Sequence, residues 1–158
     1  MALRSVVSDT SPLINLAGIG LLDLLPRLYG AVWIPIQVLH EYLIKIRTRD
    51  PDLRALPWLS IADPVLIDPM LPKLGTGEAS AISLAETLSI RVVLLDEKKA
   101  RSVAASRGLL PAGTLAVMLR AKNHGLIREI APYIAAMQVQ GRYLSASLIA
   151  QVLKEAGE

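Results

Sequence analysis

The chain has 158 residues, 53% of them hydrophobic, with no cysteine, no phenylalanine and a formal net charge of +3. That length and apolar content suit one ordinary domain spanning 1–158 with an aliphatic core, and the lack of cysteine excludes a disulfide framework or a thiolate metal site. The basic excess, with a pI of about 9.4, permits an anionic partner but equally fits a solvated surface with none.

Leu3 to Ser8 read as a short strand with β-branched Val6 and Val7. Asp9 follows, and Ser11-Pro12 signals a helix start, Ser as N-cap and Pro at the first helical position. That helix runs to about Ala17, and Leu21 to Leu28 form a second helical piece. Ala31 to Ile34 read as a strand ended by Pro35. Ile36 to Ile46 carry a helical stripe at Val38, Leu39, Tyr42, Leu43 and Ile46. Arg47 to Pro57 read as a loop or short helix, Trp58 to Ala62 as a strand, and the proline-bearing run from Asp63 to Leu74 as irregular.

Glu78 to Ser89 form a clear helix, and Arg91 to Leu95 the strongest strand. Asp96 is placed to cap the next helix, Glu97 to Arg107. Leu109 to Pro111 give a very short strand, and Gly113-Thr114 open a helix to His124. Ile127 to Gln138 are helical, shortened or kinked by Pro132. Arg142 to Leu144 read as a final strand, and Ser145 caps a terminal helix ending near Ala156. Short apolar strands alternating with helices predict an α/β architecture, a parallel sheet covered on both faces. Trp33 and Trp58 are expected to be the largest pieces of its core.

No uncharged apolar run reaches the roughly 18 residues of a membrane span, and the first apolar piece, ending in Asp9, is too short for a signal peptide. With no cysteine, these features point to the cytoplasm.

In open α/β sheets, function collects at the carboxyl ends of the strands. Asp9 and Asp96 each follow a strand and precede a helix start, so both belong at one edge. Two carboxylates in one crevice repel, and a divalent cation relieves the repulsion; oxygen donors suit Mg²⁺ or Mn²⁺. Each Asp alone is equally well explained as an N-cap, Asp96 especially, with Glu97 adding to the helix dipole. Ala81, Ile82 and Ala85 lie three, four and seven residues beyond Glu78, so the buried stripe runs up to this acid. A core-facing carboxylate needs a partner or a metal, although a first-turn acid is also favoured by the dipole alone. Glu41 lies off its helix's apolar stripe and reads as solvated. Lys98 and Arg101, just after Asp96, can meet phosphates or serve as exposed helix cations. Lys73 and Lys122 are weaker candidates of the same kind.

The runs VVSDTSPLINL at Val6 to Leu16, GEASAISLA at Gly77 to Ala85 and LLDEKKAR at Leu94 to Arg101 resemble the PIN-domain proteins, and GTLAVMLRAKNHGLI at Gly113 to Ile127 resembles their short, toxin-like prokaryotic branch. The resemblance covers nearly the whole chain. It implies a Rossmann-like three-layer sandwich with a central parallel sheet and a Mg²⁺- or Mn²⁺-dependent ribonuclease site. By position it assigns Asp9, Glu41, Glu78 and Asp96 to catalysis, with Asp9, Glu78 and Asp96 on the metal, and Thr10 or Ser11 as a supporting hydroxyl. Position 78 carries Glu where many members carry Asp. The toxin-like branch implies a small antitoxin partner and a homo-oligomer, for which the Ser145 to Glu158 helix is a candidate face.

A haloacid-dehalogenase-type phosphatase would need a second Asp at position 11, which is Ser11; no phospho-receiver constellation, Walker loop or GxGxxG is present. His40 and His124 read as surface residues. The alternative from another class is a catalytically weak or inactive binding or regulatory module on the same scaffold.

Overall fold

A computed structural model describes residues 5–158. The expected strand residues Leu3 and Arg4, and the first residues of the leader reading, lie outside them.

The chain forms five strands and eight α-helices among the described residues. β1 (Ser5–Ser8) leads into α1 (Thr10–Gly18) and α2 (Leu24–Tyr29). β2 (Ala31–Pro35) leads directly into α3 (Ile36–Lys45). A 3-10 turn, Leu53–Ala55, precedes β3 (Leu59–Ala62). There follow α4 (Thr76–Thr87), β4 (Val92–Leu94), α5 (Lys98–Ser106), β5 (Leu110–Ala112) and α6 (Thr114–Asn123). The chain ends with α7 (Ala131–Val139) and α8 (Ala146–Glu155).

All five strands pair in parallel in the order β3-β2-β1-β4-β5. The first three strands step outward one way, and the chain then returns to β4 on the other side of β1. Such a reversal opens a crevice at the carboxyl ends of the two central strands. Strand residues alternate between the two faces. Val6, Val32, Ile34, Val92 and Leu94 face a core built with α1, α2, α3 and α6. Val7, Val93 and Leu95 face a second core with Ala81, Ile82 and Ala85 of α4 and Ala100 and Ala104 of α5. The architecture is the three-layer α/β sandwich that the alternation predicted.

Several local expectations are corrected. α1 begins at Thr10 with Asp9 as N-cap, not at Ser11-Pro12. Asp9 N–H continues the sheet ladder to Leu94 O at 3.0 Å, so the helix starts at once and Pro12 falls within the first turn, where its missing N–H costs nothing. The N-cap of α5 is Glu97, not Asp96, whose carboxylate is used elsewhere. Arg142 to Leu144 form no strand, leaving β5 at the sheet edge. Trp33 and Trp58 are only half-buried against the two cores; Tyr42 is the largest fully buried side chain. Its hydroxyl donates to Pro51 O at 2.8 Å, and burial pushes its pKa up to about 12.

Candidate active site

The crevice between β1 and β4 gathers the acids. Asp9 leaves the end of β1 with extended backbone and is 5% exposed. Its Oδ1 is buried without a hydrogen-bond partner. Burial raises its pKa to about 6, opposed in part by the Thr10 backbone N–H and reinforced by the charges of Glu41 and Asp96.

Glu41 departs from the solvated role its helical position suggested. Its side chain is half-buried and accepts from Thr10 Oγ1 at 2.9 Å and from Gly77 N–H at 3.0 Å. α3 packs against α1 and α4 as well as the sheet, so a flank of the helix off its apolar stripe is covered too. Of the two candidate hydroxyls, Thr10 is buried and joins this cluster, whereas Ser11 is exposed on the groove beyond Asp96.

Gly77 lets the two carboxylates meet. A Cβ at this position would lie 2.6 Å from Asp9 Oδ1 and 2.9 Å from Glu41 Oε2, closer than a carbon and an oxygen can approach.

Asp96 is held by three donors. Asn15 Nδ2 and Thr114 Oγ1 each reach Oδ2 at 2.7 Å, and Thr114 N–H reaches Oδ1 at 2.6 Å. Asp96 therefore caps α6, eighteen residues on, rather than α5. Gly113 allows this approach, since a Cβ there would be 3.1 Å from Asp96 Oδ1. Arg101 Nη1 donates to the carbonyls of Asp96 and Leu95, bracing the turn, so it is not wholly free for phosphate. Lys98 is exposed on the adjoining groove. Lys122 is committed elsewhere, to Ala156 O and Glu158. The carbonyl of Lys73 accepts from Lys99 Nζ.

Glu78 sits in the first turn of α4, and its Oε1 accepts from Gly75 N–H at 3.0 Å, the reach-back half of a capping box. Ala81, Ile82 and Ala85 are fully buried as its spacing required. Burial and the neighbouring Glu97 carboxyl raise its pKa to about 7, with a smaller push from Asp9. Both histidines are exposed.

Four participants carried no strong sequence signal. Asn15 is the one amide in an otherwise apolar helical run; Thr114 is a polar residue at a helix start. Gly77 and Glu97 looked like ordinary helix-start residues.

Among the described residues, no three acidic or imidazole side chains stand close enough to form a complete metal cage. Mg²⁺ does not need one, since it is commonly held by one or two carboxylates with water and substrate phosphate filling the other positions. Asp9 and Glu41 facing each other over Gly77, with one carboxylate oxygen orphaned, fit a hard divalent cation.

Comparison with protein families decides the relationship: a family model described as a PIN domain matches residues 5–158. The chain belongs to the PIN-domain family. Searches of curated proteins and of solved structures returned no significant match. The PIN domain is a nuclease-type fold whose members typically use divalent metal ions and act on nucleic acid. In this PIN domain, the acids of β1 and β4 stand together at the switch crevice, with Glu41 brought in from α3.

Proposed function

We propose that this chain is a Mg²⁺- or Mn²⁺-dependent endoribonuclease, the toxin of a toxin–antitoxin pair. One observation carries the reading: Asp9 keeps a carboxylate oxygen buried and unpaired while Glu41 and Asp96 press on it electrostatically. Folding does not benefit from that arrangement, because a buried unsatisfied oxygen costs about 1–3 kcal/mol; a bound cation turns the cost into affinity.

Asp9 and Glu41, which approach each other over Gly77, are the proposed metal-holding pair, and Glu78 and Asp96 complete the acidic set that the family resemblance assigns. Glu41 is steadied there by Thr10 and the Gly77 N–H. The ion, when bound, supplies Lewis-acid charge at a scissile phosphate. Asn15 and Thr114 fix the direction of the Asp96 carboxylate, which is what outer partners of a ligating acid do. Burial and the Glu97 carboxyl raise the pKa of Glu78, and a cation bound in the crevice would favour its deprotonated form. Lys98 and Arg101 are the proposed phosphate contacts, Arg101 through the nitrogens left over from bracing Asp96.

The proposed whole is a single domain, 1–158, working in the cytoplasm as a homo-oligomer with a small antitoxin. Support for protein partners is the exposure of large apolar side chains, among them Leu66 at 85% and Met70 at 82%. The terminal helix α8 packs on α6 and buries only Val152 fully, so much of its surface is open to a partner. No helix among the described residues is long and apolar enough to cross a membrane.

A second reading, a catalytically weak or inactive nucleic-acid-binding or regulatory module, is favoured by the Glu78 carboxylate turning back to Gly75 N–H. The two separate in one assay. Purified protein is incubated with labelled single-stranded RNA and structured RNA fragments, in Mg²⁺ or Mn²⁺ against EDTA, beside Asp9→Asn and Asp96→Asn. Metal-dependent cleavage lost in both folded variants supports the enzyme. Absence of cleavage in every metal, by folded and partner-free protein, transfers the conclusion to the binding module.

A further inference from the structure

A groove of about 770 Å³ runs from Asp96 across the start of α6 to the segment before α8. Its near end is the proposed active site. Its far end carries Tyr143, whose side chain is 90% exposed although aromatic. The groove is also lined by Lys98 and Arg142, neither of which has an ion-pair or side-chain hydrogen-bond partner among the described residues, and by Glu155, which accepts from Gln151 Nε2. The planar fork of an arginine without an ion-pair partner matches a phosphate, which its terminal nitrogens rather than the buried Nε would meet.

We infer that this groove binds a single strand of RNA, with Arg142 and Lys98 on its phosphates and a base stacked on Tyr143. The inference rests on the nuclease reading for its choice of ligand and extends it to the path of the strand. The physical match has three parts. Unpaired cations track a phosphate backbone, and an exposed ring offers the π-face on which any base stacks. The groove is continuous with Asp96, so a strand lying in it delivers a phosphodiester to the acids. Apolar lining from Leu115 and Leu148 suits the faces of unpaired bases, which duplex RNA would not present. A docked protein helix is the competing occupant; it would use the apolar lining and could pair with Arg142 through an acid, but it gains nothing from a groove that ends at Asp96.

The test is fluorescence anisotropy of a labelled oligouridylate in EDTA, where cleavage is silent, at several salt concentrations. Tyr143→Ala weakens binding about tenfold, and Tyr143→Phe restores it, because stacking needs the ring and not the hydroxyl. Tyr143→Leu stays weak. Arg142→Gln lowers the slope of log affinity against log salt by about 0.7, the loss of one phosphate contact on a single strand. Unchanged affinity and salt slope in Tyr143→Ala and Arg142→Gln overturn the inference, as does a Tyr143→Ala variant that alters self-association while RNA binding persists. Binding with these signatures but no cleavage in Mg²⁺ or Mn²⁺ upholds the groove and removes the enzyme. Cleavage with a KM indifferent to Tyr143 upholds the enzyme and removes the groove.

Discussion

Gly77 and Asp9 occupy what would be the same space: a methyl group on Gly77 would stand 2.6 Å from Asp9 Oδ1. Three elements converge here, β1 through Asp9, α3 through Glu41 and α4 through Gly77, whose N–H also donates to Glu41. Gly77→Ala is therefore expected to separate stability from activity. Both carboxylates end rotatable side chains and can swing aside, and alanine favours a helix by up to about 1 kcal/mol over glycine. The melting temperature should change little. Displacing two site carboxylates by something under about 1 Å should reduce RNA cleavage up to about a hundredfold. Thermal melts and initial rates on the same preparation check this, and a variant with normal rates would show that the close approach is incidental.

Asp9 gives a pH signature. Its pKa is raised by burial from 3.8 to about 6, so between those values the folded state holds a proton that the unfolded state has lost. Stability from this group is then present at low pH and lost as pH rises through the window. The penalty at neutral pH is about 3 kcal/mol. Asp9→Asn should be more stable than the wild type by up to that amount above pH 6, with the gap closing toward pH 4. Mn²⁺ should narrow the gap by stabilising only the wild type. Urea denaturation of both proteins from pH 4 to pH 7 measures it, and a gap that does not vary with pH would mean that Asp9 carries no such burial cost.

The contrast between Asp9 and Glu41 shows where sequence reasoning reaches. Asp9 and Asp96 could be placed because each directly follows an apolar strand, and parallel strands bring their carboxyl ends to one edge. The strands themselves were readable from runs such as Val92–Leu94, and the layer order followed from their alternation with helices. Glu41 could not be placed by periodicity, because a helical wheel shows one buried face and α3 has neighbours on more than one. Asn15 and Thr114 escaped notice because their partner, Asp96, is 81 and 18 residues away. Arg142 to Leu144 looked like a strand because their local pattern says nothing about β5 already ending the sheet. The family resemblance assigned Glu41 to the acidic set, and the fold brings it beside Asp9 at Gly77.

Thr114 serves Asp96 twice, through its N–H and its hydroxyl, and Asn15 once. Thr114→Val keeps the shape and removes only the hydroxyl bond. A hydrogen bond to a charged acceptor is worth about 1.5–3 kcal/mol, and Thr114 is 2% exposed, so a loss in that range is expected. Metal affinity should fall about tenfold or more as Asp96 loses its orientation, while Thr114→Ser should restore most of it. Calorimetric titration with Mn²⁺ alongside denaturation separates the two effects. Affinity unchanged in Thr114→Val would remove Asp96 from the metal site.

Glu158 closes a separate part of the fold. Glu158 accepts from the N–H groups of Ile130 and Ala131 at the start of α7 and pairs with Lys122 Nζ at 2.8 Å. The Lys122 hydrogen bond and the two backbone donors hold its pKa down to about 2. Because the folded pKa lies below the unfolded one, this contribution is complete above about pH 4.5 and disappears as the pH falls toward 2. Glu158→Gln keeps an acceptor but loses the charge that attracts Lys122 and the positive end of the α7 dipole. It should show faster amide exchange at Ile130 and Ala131 and a smaller loss of stability on acidification than the wild type. RNA cleavage should be unaffected, since Lys122 serves this clamp rather than the crevice. Wild-type exchange rates at those two amides in the variant would show that the Glu158 side chain does not hold α7.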